Sequence, residues 1–210
     1  MSTNPAMTIS RSLGSGGTEA GFLAARQLGW HFCDRRILRM AAEAMGKSVA
    51  SLGRQEERPS GFLEQLMGLF AFGSPEAPYT PLLELPVYSR DVYEAQRKVM
   101  LQVVDHAPSV VVGRGGFVAL RGRPATLHVR IHSDLEFRVR NLVTWGKAAN
   151  EPAARKALAQ SDRNRAAFIE AISGHDWHDP APFDLVLDLA QTGMEAAVET
   201  MVEACRQLGH

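Results

Sequence analysis

The stretch that decides the fold reads Met7-Thr8-Ile9-Ser10, then Arg11-Ser12-Leu13-Gly14-Ser15-Gly16-Gly17-Thr18-Glu19-Ala20-Gly21. A short apolar run enters a glycine-rich turn, and the turn opens a helical pattern through Leu28. This is the local plan of a phosphate-binding loop. Glycines let backbone N–H groups close around an anion, and a helix N-terminus adds partial positive charge. The usual pattern ends in Gly-Lys-Ser/Thr, whereas this loop has Gly16-Gly17-Thr18. The chain carries a phosphate cradle without the lysine that ordinarily reaches the transferred phosphate.

Outward from this loop, apolar runs alternate with helical patterns. Strands are expected at 7–10, 31–33, 109–112, 126–132 and 185–187, each short and mostly apolar on both faces, as in a buried parallel sheet. Helices are expected at 18–28, 34–45, 90–107, 135–145, 152–173 and 194–208, with Ser133-Asp134 capping the fourth. Strands separated by helices imply βαβ units, hence an α/β fold with a parallel five-stranded sheet and helices on both faces. Residues 49–89 break the rhythm with Pro59, Pro75, Pro78, Pro81 and Pro86 and with Gly53, Gly61, Gly68 and Gly73. Their aromatic content argues against a disordered linker, and they read as a mobile insertion over the sheet's carboxyl edge.

Bulk properties exclude several classes. The 210 residues suffice for one well-buried domain with an excursion. Lys+Arg and Asp+Glu both number 23, so the balance lacks the basic surplus expected of a nucleic-acid or membrane-surface protein. Cys33 and Cys205 lie far apart, which suits buried thiols in a reduced, cytoplasmic protein better than a disulfide scaffold. The N-terminus has no basic region followed by an apolar run, so no signal peptide is expected. No window approaches the ~20 apolar residues of a membrane span.

Four stretches together resemble the P-loop nucleoside monophosphate kinases, most closely the cytidylate kinase-like family. The first is Thr8-Ile9-Ser10-Arg11 with Gly14-Ser15-Gly16-Gly17, similar to that family's lysine-free variant loop. The second is Leu28-Gly29-Trp30-His31-Phe32-Cys33-Asp34, a strand ending in aspartate. The third is Val110-Val111-Val112-Gly113-Arg114-Gly115-Gly116, with a Gly-Arg pair after a strand. The fourth is Ser161-Asp162-Arg163-Asn164-Arg165-Ala166, similar to an arginine-bearing lid, followed by Phe183-Asp184-Leu185-Val186-Leu187-Asp188. The resemblance implies a single kinase-like domain over 1–210, with an acceptor-binding insertion at 49–89 and a lid region at 146–179. It also implies ATP and Mg²⁺ as cofactors and transfer of the γ-phosphate to CMP or dCMP.

Phosphoryl transfer asks the protein to position groups and neutralise charge, and arginine suits this because its planar fork pairs with phosphate oxygens and stays charged. Gly14, Ser15, Gly16, Gly17 and Thr18 are expected to offer backbone N–H groups to ATP. The hydroxyl of Ser15 or Thr18 could reach Mg²⁺, and the pattern does not choose between them. Glu19 in the first helical turn suits the helix dipole. Asp34 ends a strand, where a carboxylate can accept from a base or ribose, or cap the next helix. Arg114, between glycines at a strand end, is a candidate for the acceptor's phosphate, with a salt bridge to Asp34 as the structural alternative. Of Arg163 and Arg165, two apart on a helix, one is expected on phosphate and the other on Asp162. Arg138 is a better substrate candidate than Arg140. Arg11, Arg35 or a lid arginine could replace the missing lysine. His175-Asp176-Trp177-His178-Asp179 reads as a turn pinned by Trp177, and no metal ligand is assigned. A nucleotide-binding regulatory protein without catalysis, and a kinase of another small phosphate acceptor, are the competing readings.

Overall fold

The computed structural model describes residues 3–34 and 90–208. The expected helix at 34–45 and the insertion at 49–89 fall outside the described residues, except for Asp34.

Strand β1 (Ala6–Arg11) leads into helix α1 (Gly17–Leu28), followed by β2 (His31–Cys33). Helix α2 (Arg90–His106) precedes β3 (Ser109–Val112), a four-residue helix α3 (Gly116–Ala119) and β4 (Thr126–His132). Then come α4 (Leu135–Thr144), α5 (Glu151–Ser173), β5 (Leu185–Asp188), a four-residue α6 (Leu189–Thr192) and α7 (Met194–Gln207). The strands form one sheet in the order β2-β3-β1-β4-β5, and every pairing is parallel. In such a sheet all strand carboxyl ends share one edge, so Ser10, Asp34, Gly113 and Ser133 lie along that edge as expected.

Side chains alternate between the two faces of a strand. One face is apolar up to Arg11 at the carboxyl end of β1: Met7, Ile9, Val110, Val112, Leu127, Val129 and Ile131 pack against α1 and α7. Helix α1 approaches closely because Gly17, Ala20, Gly21 and Ala24 face the sheet; a Cβ on Gly21 would stand 2.7 Å from Ile9 Cδ1. Gly29, at φ 67°, closes the helix with N–H bonds to Ala25 and Arg26 carbonyls.

The second face differs from the expectation of strands apolar on both sides. Ala6, Cys33 and Val111 pack under α2 and α3, with Phe168 and Ile172 of α5 alongside. Yet β1 and β4 place Thr8 beside His128 and Ser10 beside Arg130 on this face. Thr8 Oγ1 and His128 Nδ1 share a hydrogen bond of 2.7 Å, which satisfies the buried Thr8 hydroxyl and the half-buried His128 ring. Burial holds the His128 ring below its ordinary pKa, against the pull of Asp184. The sheet therefore carries a polar stripe that runs toward its carboxyl edge.

Local caps explain the remaining ends. The Asp134 carboxylate accepts from Phe137 N at 2.7 Å and starts α4, while Ser133 turns its hydroxyl to the His132 carbonyl. Asn150 caps α5 through Ala153 N at 3.0 Å, ahead of Pro152 in the first turn. Asp188 caps α6 through Ala190 N at 3.0 Å. No helix among the described residues is long and apolar enough to cross a membrane.

Candidate active site at the carboxyl edge of the sheet

The loop between β1 and α1 is built by its own small residues and braced from α4. Gly14 and Gly16 take φ of 78° and 83°, conformations that side chains rarely adopt. Ser15 is fully buried. Its hydroxyl donates to the Ser12 carbonyl at 2.9 Å and accepts weakly from Gly17 N at 3.4 Å. Of the two hydroxyls left open by the sequence, that of Ser15 is therefore committed to shaping the loop. Gly16 sits at the N-cap of α1 without a side-chain cap, so the first-turn amides point at the loop.

The brace comes from α4. Arg138 Nε donates to the Leu13 carbonyl at 2.7 Å, and Asn141 Nδ2 donates to the Gly14 carbonyl at 2.8 Å. Both loop carbonyls are thereby turned toward α4. The Arg138 guanidinium continues to α5, where Nη2 meets both Asp162 oxygens at 2.8 and 2.9 Å. Asp162, expected to pair with Arg163 or Arg165, is thus held by Arg138. Arg163 is exposed and donates to Gln160 Oε1 at 2.9 Å; Arg165 donates to Ser161 Oγ at 2.8 Å. Arg138 stands as a buried link between α5 and the loop in this structure.

The missing lysine has a steric counterpart. A Cβ on Gly17 would stand 2.7 Å from Arg11 Cβ and 3.1 Å from Ile131 Cβ. Position 17 is closed because Arg11 crosses directly beneath it. The Arg11 side chain then runs along the site: Nε donates to Thr18 Oγ1 at 3.3 Å, and the guanidinium fills the space where a Cβ on Gly113 would fall. One cation therefore spans the gap between the glycine loop after β1 and the glycine turn after β3.

That second turn is unusual in its backbone. Gly113, Arg114 and Gly115 take φ of 79°, 55° and 66°, three consecutive left-handed residues. For arginine this conformation costs about 1–2 kcal/mol. The turn is tied by Gly113 N to the Ile9 carbonyl at 2.8 Å and by Gly116 N to the Gly113 carbonyl at 3.0 Å. Ile9, Ser10, Gly113, Gly115, Gly116 and Phe117 line a small cleft here. Asp34 follows β2 along the same edge and is half-exposed. Beside it the Cys33 thiol is fully buried, and burial together with the Asp34 charge pushes its pKa up, away from reactivity.

Three side chains here went unread in the sequence. Asn141 is one. Arg130 is another: it is 8% exposed in the middle of β4, donates to the Trp177 carbonyl, and stacks on the Trp177 ring with 4.6 Å to the centroid. Burial draws its pKa down, while Asp176, Asp162 and Asp179 draw it back. The signal was present as the alternation Leu127-His128-Val129-Arg130-Ile131, which marks a strand with one polar face. Tyr93 on α2 is the third. The 175–179 run is a turn, with Asp176 Oδ1 accepting from His178 N at 2.8 Å, Asp179 Oδ1 from Ala181 N at 2.9 Å, and Trp177 buried.

Comparison with known proteins follows the same lines. The sequence model described as the cytidylate kinase-like family matches residues 6–191. No curated protein matches the chain. Among solved structures, an uncharacterized protein from Eubacterium ventriosum is similar in fold, with TM-score 0.71 at 16% identity over 97% of this chain and 99% of that one. The protein TT1252 from Thermus thermophilus is also similar, with TM-score 0.53 at 18% identity over 98% of both chains.

Proposed function

The chain belongs to the cytidylate kinase-like family, and from that premise we propose that it is an ATP- and Mg²⁺-dependent kinase that transfers the γ-phosphate to a nucleoside monophosphate, CMP or dCMP. The observation that carries this reading is the Arg11 guanidinium, set between Thr18 of the phosphate loop and Gly113 of the second glycine turn. Two phosphate-binding turns on adjacent parallel strands bring two anionic substrates to one edge. A cation between them stands where charge is exchanged during transfer.

The residues present fit the nucleotide and the metal. Backbone N–H groups of residues 14–18 and the uncapped first turn of α1 would hold the triphosphate. With Ser15 occupied inside the loop, Thr18 is the hydroxyl that would hold Mg²⁺, by giving up the bond its Oγ1 accepts from Arg11 Nε. The metal, when bound, neutralises phosphate charge as the bond to the leaving group weakens. This chain's own contribution is positional and electrostatic. Arg11 takes the role that lysine has in the usual loop. Arg114, held in a strained backbone, presents its side chain to the acceptor's phosphate, and Asp34 accepts hydrogen bonds from the acceptor's base or ribose. Arg163 and Arg165 on α5 close over the transferred group, and the 146–179 region acts as a lid that excludes water. Arg138, proposed from the sequence for the substrate, meets a phosphate only by exchanging its bond to Asp162.

The test is a coupled assay for ADP release with CMP, dCMP, UMP, AMP and GMP as acceptors. ADP release that depends on CMP or dCMP supports the reading. Release with a different phosphorylated acceptor would keep the kinase and replace the substrate. ATP binding without transfer to any acceptor would leave a nucleotide-binding regulatory protein.

A further inference from the structure

Tyr93 is 6% exposed, and among the described residues no hydrogen-bond partner meets its buried hydroxyl. Buried polar groups are nearly always paired, because leaving one unpaired forfeits its hydration with nothing in return. A buried hydroxyl without a partner therefore calls for an explanation, and its location supplies one. The ring packs edge-on against Phe168 of α5, with centroids 6.0 Å apart and planes at 78°. Its Cε2 atom stands 3.3 Å from where a Cβ on Gly115 would be. Cε2 is bonded to the carbon that carries the hydroxyl, so the polar end of the ring is the end against the Gly113-Arg114-Gly115 turn. That turn lines the cleft shared with Ser10 and Phe117. Gly115 itself is held to glycine by its φ of 66° and by Ile172, which a Cβ would strike, with the Tyr93 ring close by.

We propose that the Tyr93 hydroxyl is a specificity group of the acceptor site, donating a hydrogen bond to a phosphate oxygen of the monophosphate bound at the turn after β3. This inference rests on reading that cleft as the acceptor site. It adds a neutral donor to the cationic Arg114, the residue that precedes the same glycine. Burial pushes the phenol up to about 12, outweighing the opposing pull of Arg97, so the group keeps its proton throughout the neutral range and remains a donor. A phenol held by packing loses little freedom when it binds. Among the described residues its hydroxyl has no partner, and a bound phosphate would supply one.

The experiment compares the wild-type protein with Tyr93→Phe by calorimetric titration of CMP, cytidine and a non-hydrolysable ATP analogue, together with thermal melting. The variant should bind CMP about 10- to 100-fold more weakly, the usual effect of losing a hydrogen bond to a charged group. Cytidine and the ATP analogue should bind both proteins equally. The melting midpoint should hold or rise, because a buried unpaired hydroxyl has been removed. Equal CMP affinity in the two proteins would overturn the role of Tyr93 and leave the kinase reading intact. A lowered melting midpoint with equal loss of all three ligands would show a structural residue and overturn it as well. Wild-type protein that binds the ATP analogue but none of CMP, UMP, AMP and GMP would remove the acceptor site itself, and both proposals with it.

Discussion

The loop after β1 and the turn after β3 both follow buried strands and both depend on left-handed glycines, and they open on the same edge of the sheet. They differ in what holds them. The first is tied to α4 by Arg138 and Asn141 and stiffened by the Ser15 hydroxyl, so its carbonyls are turned away and its amides toward the edge. The second is tied through its own backbone, its Arg114 is strained, and its glycines line a small cleft. A prebuilt cradle suits a group common to every reaction of a kinase. On the proposed reading, the turn after β3 meets the substrate that must be chosen. Arg11 lies between them and reaches both.

The cradle should break first. Gly14→Ala puts a Cβ 2.8 Å from the Arg138 carbonyl and 2.7 Å from Leu142 Cδ1, at a φ of 78°. Left-handed strain and overpacking together should lower stability by about 2–4 kcal/mol, and nucleotide binding should be lost with it. Denaturant unfolding and ATP titration measure the two. An unaltered unfolding midpoint would mean that the loop is not braced as described.

Restoring the lysine sharpens the contrast. If position 17 were a vacancy, Gly17→Lys would strengthen ATP binding. The 2.7 Å approach of Arg11 Cβ and the 3.1 Å approach of Ile131 instead predict overpacking of about 1–3 kcal/mol and weaker binding. A gain in ATP affinity would show that Arg11 does not own that space.

These two glycines also show how far the sequence could be read. The five strands, the glycine loop and the helix after it are local patterns, and they stand where periodicity puts them. The absent lysine was legible too, but its reason was not: the atom that closes position 17 belongs to Arg11, at the end of the strand that enters the loop. Arg138 was visible as an arginine near a lid. That it would spend its guanidinium on Asp162 and on a carbonyl 125 residues earlier depends on how α4 lies against the loop. Arg130 hid inside a strand, where charge argues for an edge or a turn; the Trp177 ring and carbonyl accommodate it. The helices α3 and α6, four residues each, are too short to show a period.

Asp162→Asn weakens the link between cradle and α5. The carboxylate is partly exposed, at 30%, so the expected loss is ~1.5 kcal/mol of stability. ATP affinity should fall more than acceptor affinity, which calorimetry with each ligand resolves. An equal fall in both would place Asp162 outside the cradle.

Below about pH 6.5 the unfolded chain gains a proton at residue 128 before the native protein does, because burial holds the native His128 pKa below its ordinary value. Stability from this group is complete above that pH and is lost as pH falls toward the native pKa. His128→Gln keeps a partner for Thr8 and should flatten the pH dependence of unfolding by up to about one proton. An unchanged slope would contradict a neutral, half-buried ring.

The smallest effect belongs to the exposed Arg163. Arg163→Ala should leave stability within ~0.5 kcal/mol, since its bond to Gln160 lies at the surface. Any loss of turnover in that variant therefore reads its contact with substrate rather than folding.

The central claim is that Arg11 does the work of the absent lysine. Single-turnover transfer of labelled γ-phosphate from ATP to CMP, compared in wild-type protein and Arg11→Ala with ATP affinity measured alongside, tests it most directly. The account predicts transfer slowed by about 10³-fold, the scale of a catalytic arginine, with ATP affinity changed far less. Transfer at the wild-type rate in the variant would contradict it.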